Sequence, residues 1–70
     1  MDEKEQKAIL ARLNQNHRDV ITGFPAYARN KILTKIEKGY FVTSCTHSKI
    51  EIRQGHSSYR INRAGTTTPI

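Results

Sequence analysis

Two alternating segments on either side of Gly55 leave few options for the second half of the chain. Residues 48–53 (Ser-Lys-Ile-Glu-Ile-Arg) and residues 58–63 (Ser-Tyr-Arg-Ile-Asn-Arg) place apolar side chains at every second position, which is typical of half-buried strands. A two-residue turn that begins at Gly55 makes these apolar side chains face one another and sets Glu51 opposite Arg60. A shift of one residue would set apolar side chains against charges. The pattern therefore predicts a β-hairpin with this register.

The first half of the chain contains three segments with helical patterns. Strong helix formers with a stripe of apolar residues fill residues 3–14, and a shorter helical segment at residues 17–22 ends at a glycine. A third segment, residues 25–38, begins with a proline, carries apolar residues at helical spacing and is followed by another glycine. The order predicts an α+β protein in which three helices precede the hairpin.

The remaining segments are less regular. Residues 40–45 are rich in β-prone side chains and are expected to be extended. The tail at residues 66–70 has little to bury besides Ile70, so we expect it to be disordered. Because a chain of 70 residues has room for a single small core, one domain covering residues 1–65 is expected.

The chain is basic, with twelve lysine and arginine residues against six acidic residues and a formal net charge of +6. Acidic and basic side chains balance within residues 1–16, so the whole excess lies in the rest of the chain. On the third predicted helix, the side opposite the apolar stripe is polar and basic. This excess favours a polyanionic partner, although a basic surface also serves solubility alone.

Several short motifs follow one another in a fixed order along the chain. They are Gly23-Phe24-Pro25 before a small residue, Ile32-Leu33, Ile36, Gly39-Tyr40, Tyr59-Arg60-Ile61 and Gly65. With three helices and a hairpin, this pattern resembles the winged helix-turn-helix family of bacterial and phage regulators over roughly residues 5–65. The resemblance implies a winged-helix fold in a transcriptional regulator. It also implies that duplex DNA is the partner, with the third helix in the major groove and the hairpin as a wing.

The resemblance implies two sets of contact residues. On the third helix, the residues placed for base edges are Tyr27, Arg29, Asn30, Lys31 and Thr34, and those placed for phosphates are Lys35 and Lys38. On the hairpin, the residues placed for the backbone or minor groove are Arg53, His56, Ser57 and Arg60. These residue types suit the roles, because asparagine pairs with adenine, arginine and lysine pair with guanine, and lysine binds phosphate.

A protein-interaction module on the same fold is the alternative, docking the third helix or the hairpin on a nucleic-acid enzyme or a toxin. Tyr27 favours it, because exposed tyrosine is enriched at protein interfaces. RNA binding is less favoured, since no aromatic pair alternates with basic residues along a strand. A unit this small buries a modest surface on DNA, so we also expect a homodimer through the apolar stripe of the first predicted helix.

The cellular compartment of the protein is predicted from its cysteine content and its hydropathy. Cys45 is the only cysteine, which excludes an intramolecular disulfide. The chain opens with Met-Asp-Glu-Lys-Glu, unlike the positive start and apolar middle of a signal peptide. No apolar run exceeds four residues, against the roughly 20 that a membrane-spanning helix needs. We therefore expect a soluble, cytoplasmic protein without a membrane partner.

Enzymatic and metal chemistry find little support in the sequence. No nucleophile, base and orienting acid occur in a recognisable context, and there is no glycine-rich phosphate loop. Cys45 and His47, with His17 and His56 elsewhere, are the available zinc ligands, but their spacing matches no standard zinc site. We therefore expect no catalysis, cofactor or metal, and we interpret Cys45 as a small, partly buried strand residue.

Overall fold

In the computed structural model, which describes residues 2–70, three helices precede a four-stranded antiparallel sheet. The helices are α1 (Glu3–Leu10), α2 (Gln15–Thr22) and α3 (Ala26–Glu37). The strands are β1 (Phe41–Cys45), β2 (Lys49–Gln54), β3 (Ser57–Asn62) and β4 (Thr67–Pro69). Each strand pairs with the next one along the chain, in the order β1-β2-β3-β4. The predicted α+β class and the order of helices before the hairpin are confirmed.

The hairpin of β2 and β3 has the predicted register. It contains three expected cross-strand pairs: Ile50 with Ile61, Ile52 with Tyr59, and Glu51 with Arg60. Gly55 has a φ of 59°, in the left-handed region that a two-residue hairpin turn requires and that glycine adopts at little cost. The register could be predicted because both of its determinants, the alternation and the turn residue, are local in sequence.

The first two helices depart from their predicted limits at the turn that joins them. α1 ends at Leu10 rather than at residue 14, and α2 begins at Gln15 rather than at residue 17. The side chain of Asn14 accepts a hydrogen bond of 2.8 Å from the backbone N–H of His17, as an N-cap residue does. Asn14 therefore starts the second helix, and the prediction that the first helix extends to residue 14 was wrong.

The C-terminal segment is ordered, which contradicts the prediction of a disordered tail at residues 66–70. β4 pairs with β3, and the backbone N–H of Ile70 donates to the carbonyl of Ser58 at 2.9 Å. The turn before β4 is fixed by the side-chain oxygen of Asn62, which accepts from the N–H groups of Ala64 and Thr66 at 3.0 Å. Backbone pairing with β3 orders this segment, although its side chains bury little.

The core lies between the helices and one face of the sheet. Ile32 and Leu33 of α3 are fully buried in one cluster with the isoleucines of β2 and β3. Ile21 of α2 and Phe24 in the following turn complete this cluster from the other side. α2 and α3 therefore cover the inner face of the sheet, and α1 packs against α3. Alternate strand residues such as Glu51 point to the outer face, where no strand residue is buried.

The apolar stripe of α1 belongs to this core. Ile9 is buried, and Leu10 and Leu13 pack against the cluster at its edge. The exposed part of α1 is largely charged. The stripe that suggested a homodimer through the first helix is therefore largely covered within the monomer.

Candidate nucleic-acid interface

One side of α3 faces solvent along its whole length. The helix begins after Pro25, and Tyr27, Lys31, Thr34 and Lys38 follow at intervals of four, three and four residues, which places them on one side. Tyr27 is 62% exposed and Lys38 is exposed, while Lys31 and Thr34 are half-buried. We call these four residues the α3 stripe. The structure therefore turns the predicted polar side of α3 outward.

An open groove of about 410 Å³ runs beside the stripe, between α3 and β4. It is lined by Tyr27, Asn30, Lys31, Thr34, Lys35 and Thr67. Five of these six residues belong to the predicted contact set. Thr67 was missed because its segment was expected to be disordered. Its β-branched neighbours Thr66 and Thr68 were the only signal of a strand.

Gly65 sets the position of Tyr27 at one end of the groove. A Cβ atom on Gly65 would overlap the ring of Tyr27, so the ring lies directly on the turn between β3 and β4. The φ of Gly65 is 86°, which L side chains rarely adopt. The exposed tyrosine is therefore held by the backbone of a distant turn.

The lysines of α3 carry charge that no acid neutralises directly. The Nζ of Lys31 lies 4.8 Å from the ring centroid of Tyr27, and the Nζ of Lys35 lies 4.6 and 5.1 Å from the rings of Tyr59 and Tyr40. These are cation–π distances. Among residues 2–70, the salt bridges are Lys7–Glu3, Lys49–Glu51 and Arg60–Glu51, and none involves α3. The positive charge of α3 is thus available to an external anion.

Asn30 brings an unsatisfied acceptor to the groove. Within the described part of the chain, its buried side-chain oxygen has no hydrogen-bond partner. Its backbone carbonyl, by contrast, accepts from the hydroxyl of Thr34 at 2.7 Å. A buried acceptor without a partner is costly, so the side chain would gain by turning its amide toward a donor in the groove.

Arg29 lies on the side of α3 that faces α2. Its guanidinium donates to the carbonyls of Thr22 and Phe24 at 3.4 and 3.3 Å, at the C-terminal end of α2. Helix C-termini have free carbonyls and a negative dipole end, which explains this use of an arginine. The structure therefore separates Arg29 from the α3 stripe, with which the sequence had grouped it.

Arg63 joins two turns at one end of the molecule, a role that no sequence signal indicated. Its guanidinium donates to the carbonyls of His47 and Gly23, each at 3.0 Å. The guanidinium carbon also lies 5.1 Å from the ring centroid of Phe24. This arginine thus holds the turn between β1 and β2 against the turn between α2 and α3.

The hairpin tip lies beside the C-terminal end of α3. The side-chain amide of Gln54 donates to the carbonyl of Lys38 at 3.0 Å, and the Nε of Arg53 donates to the carbonyl of Gly55 at 2.8 Å. Arg53, His56 and Ser57 are exposed together at this tip. Arg60 is separate from them, because it lies on the outer face of the sheet and donates to Glu51 at 3.2 Å.

Cys45 and the histidines do not come together as a metal centre in the described residues. Among residues 2–70, no three His, Cys, Asp or Glu side chains come close enough to hold a metal ion. Cys45 is half-buried in β1, and burial raises the pKa of its thiol above the ordinary value because the charged thiolate is poorly solvated there. A raised pKa makes this thiol a weak nucleophile at neutral pH.

Comparison of the chain with known protein families, with curated proteins and with solved structures finds no match. The longest helix, α3, has 12 residues, and none of the helices in residues 2–70 has the length and apolar character that a membrane span requires.

Proposed function

We propose that this protein binds duplex DNA with the α3 stripe and acts as a small transcriptional regulator. The observation that carries the proposal is the outward lysine charge of α3. Lys31 and Lys38 share one side of the helix with Tyr27 and Thr34, and no acidic group pairs with either lysine in residues 2–70. A polyanion is the natural complement of such a surface.

In this proposal the fold serves as a winged helix-turn-helix. α2, the following turn and α3 form the helix-turn-helix, and the β2–β3 hairpin is the wing. A helix with its side chains is about 10–12 Å in diameter, so α3 fits a major groove that is about 12 Å wide. Tyr27, Asn30, Lys31 and Thr34 would reach base edges. Asn30 would pair with adenine once its buried amide oxygen turns toward the groove, because asparagine accepts from adenine N6.

The hairpin tip extends the same surface. The hydrogen bond between Gln54 and Lys38 fixes the tip beside the end of α3, so one duplex would meet both. Lys38 would bind a phosphate, and Arg53, His56 and Ser57 would contact the backbone or the minor groove. Lys35, held over two tyrosine rings, would add positive potential. Arg29 is left out of the proposed duplex contacts because it donates to the end of α2, and Arg60 because it lies on the outer face of the sheet, away from α3.

Fluorescence anisotropy of a labelled random duplex of roughly 25 base pairs, more than two helical turns, tests the proposal at 50 and 200 mM salt. About three phosphate contacts would lower the affinity roughly 40-fold between these salt concentrations. The variant Lys31→Glu/Lys38→Glu should lose binding at both. The matched control Lys4→Glu/Lys7→Glu changes the net charge equally on exposed α1 and should retain binding.

Circular dichroism of both variants shows whether they are folded. If the two double variants weaken binding equally, net charge rather than α3 determines affinity, and the proposed interface is wrong. If wild type binds no duplex at either salt concentration, DNA is not the partner. The 62% exposed ring of Tyr27 beside an open groove then favours the alternative, a protein-interaction module.

A further inference from the structure

The outer face of the sheet forms a second exposed surface, distinct from α3. The helices cover the inner face only. Cross-strand pairing places Phe41, Arg53 and Ser58 in one row across β1, β2 and β3 on the outer face, and Ile70, directly after β4, donates its backbone N–H to Ser58. Phe41 is 58% exposed and Ile70 is 62% exposed, and with Tyr27 they are the exposed large hydrophobic residues of the described chain. Phe41 and Ile70 lie on either side of Arg53 and Ser58, so this face combines exposed apolar side chains with an exposed basic one.

The charge on this face is predominantly positive. Lys49, Arg53 and Arg60 lie here, and Glu51 is the only acidic residue of the strands. The carboxylate of Glu51 lies 3.2 Å from Arg60 and 3.8 Å from Lys49, and so holds both cations on the face. The other five acidic residues of the chain lie outside the sheet. A second copy packed face to face would therefore meet like charge.

We propose that the outer sheet face binds single-stranded nucleic acid. An exposed aromatic ring among basic side chains binds single strands because unpaired bases stack on the ring while the cations contact phosphates. Here Phe41 would stack with a base, and Arg53, Arg60 and Lys49 would contact the backbone. Duplex DNA does not fit this role, since its bases are already stacked and paired.

This site shares only Arg53 with the proposed duplex interface. α3 lies against the inner face of the sheet, so the outer face and the α3 stripe are on different sides of the molecule. A single strand on the outer face and a duplex on α3 would therefore compete only for Arg53, at the hairpin tip. Either proposal can fail without the other.

The absence of tryptophan from the sequence permits a direct test. In the variant Phe41→Trp, a base that stacks on the ring quenches the only tryptophan fluorescence of the protein. We expect quenching when a thymidine oligonucleotide of about 12 nucleotides is added at low salt, and none with duplex DNA. Unchanged fluorescence at saturating oligonucleotide would overturn the proposal.

A pair of serine variants separates the two surfaces. Phe41→Ser should weaken binding of the labelled oligonucleotide about 5- to 100-fold while leaving duplex affinity unchanged. Tyr27→Ser removes an equally exposed aromatic ring from α3 and should leave oligonucleotide affinity unchanged. Because both rings are exposed, neither change should unfold the chain. Equal losses of oligonucleotide binding in the two variants would show that single strands also use α3, and would refute the outer face as the site.

Discussion

Replacing Arg63 by alanine removes the side chain that joins the two turns at one end of the molecule. The guanidinium donates two hydrogen bonds of 3.0 Å, to the carbonyls of His47 and Gly23, and lies over the ring of Phe24. These partners are distant in sequence, so no local element replaces the link. We expect the free energy of unfolding to fall while the fold is kept.

The size of the loss follows from these contacts. Hydrogen bonds to a charged group contribute about 1.5–3 kcal/mol each, and exposure of Arg63 to water reduces this to roughly 0.5–1 kcal/mol. An exposed cation–π contact adds about 0.5–1 kcal/mol. The expected total is about 2 kcal/mol, which corresponds to a decrease in Tm of roughly 8–16 °C for a domain of this size.

Thermal and urea denaturation followed by circular dichroism measure this loss. Arg12→Ala, in the exposed turn after α1, removes the same charge and serves as the control. Arg63→Lys keeps the charge but lacks the planar fork that reaches two carbonyls, so it should recover less than half of the stability. A decrease in Tm for Arg63→Ala no larger than that for Arg12→Ala would refute the assignment.

Two further predictions concern Gly65 and Cys45. Gly65→Ala should lower the free energy of unfolding by about 1–2 kcal/mol, because φ is positive and the new Cβ overlaps Tyr27. The loss should be smaller when Tyr27 is already replaced by alanine, and a double-mutant cycle in urea measures this difference. If Gly65→Ala costs the same with and without the Tyr27 ring, overlap with that ring does not contribute to the loss. The thiol of Cys45 should react with iodoacetamide more slowly than free cysteine at pH 8, because its raised pKa lowers the thiolate fraction. The reaction rate of Cys45 itself should increase as the pH rises. A rate equal to that of free cysteine would contradict this reasoning.

The positive charge of this chain has two different uses. Arg18, Arg29 and Arg63 donate to backbone carbonyls at the ends of α1 and α2, as the hydrogen bond of 3.3 Å from Arg18 to Leu10 illustrates. These arginines stabilise helix ends that lack other partners. Fewer cations are therefore available for direct contact with a polyanion than the net charge of +6 suggests, and the lysines of α3 and the cations of the sheet remain as candidates.

Local patterns were sufficient for the hairpin and for α3. The register around Gly55 depends on alternation and on one turn residue, and both are visible within 15 residues of sequence. The solvent-facing side of α3 followed from helical spacing of Ile32, Leu33 and Ile36, all of which are buried. Five predicted contact residues consequently line one groove.

Local patterns were not sufficient where a partner strand or a cap decides the conformation. Asn14 was interpreted as a stop for the first helix, yet its side chain caps α2. The same residue type suits both positions, and the choice depends on packing. Thr67 and its neighbours form a strand only because β3 offers unpaired backbone groups beside them.

The sequence by itself determined the α+β class, the order of helices before the hairpin, the hairpin register and the outward side of α3. Each of these depends on periodicity or turn chemistry over a few residues. Only the tertiary structure decided which cations are free, since Arg29 donates across the turn to the end of α2 and Arg63 donates to carbonyls 16 and 40 residues away. It also decided the fourth strand and the groove beside it, because cross-strand hydrogen bonds and side-chain contacts depend on spatial neighbours that local sequence does not specify.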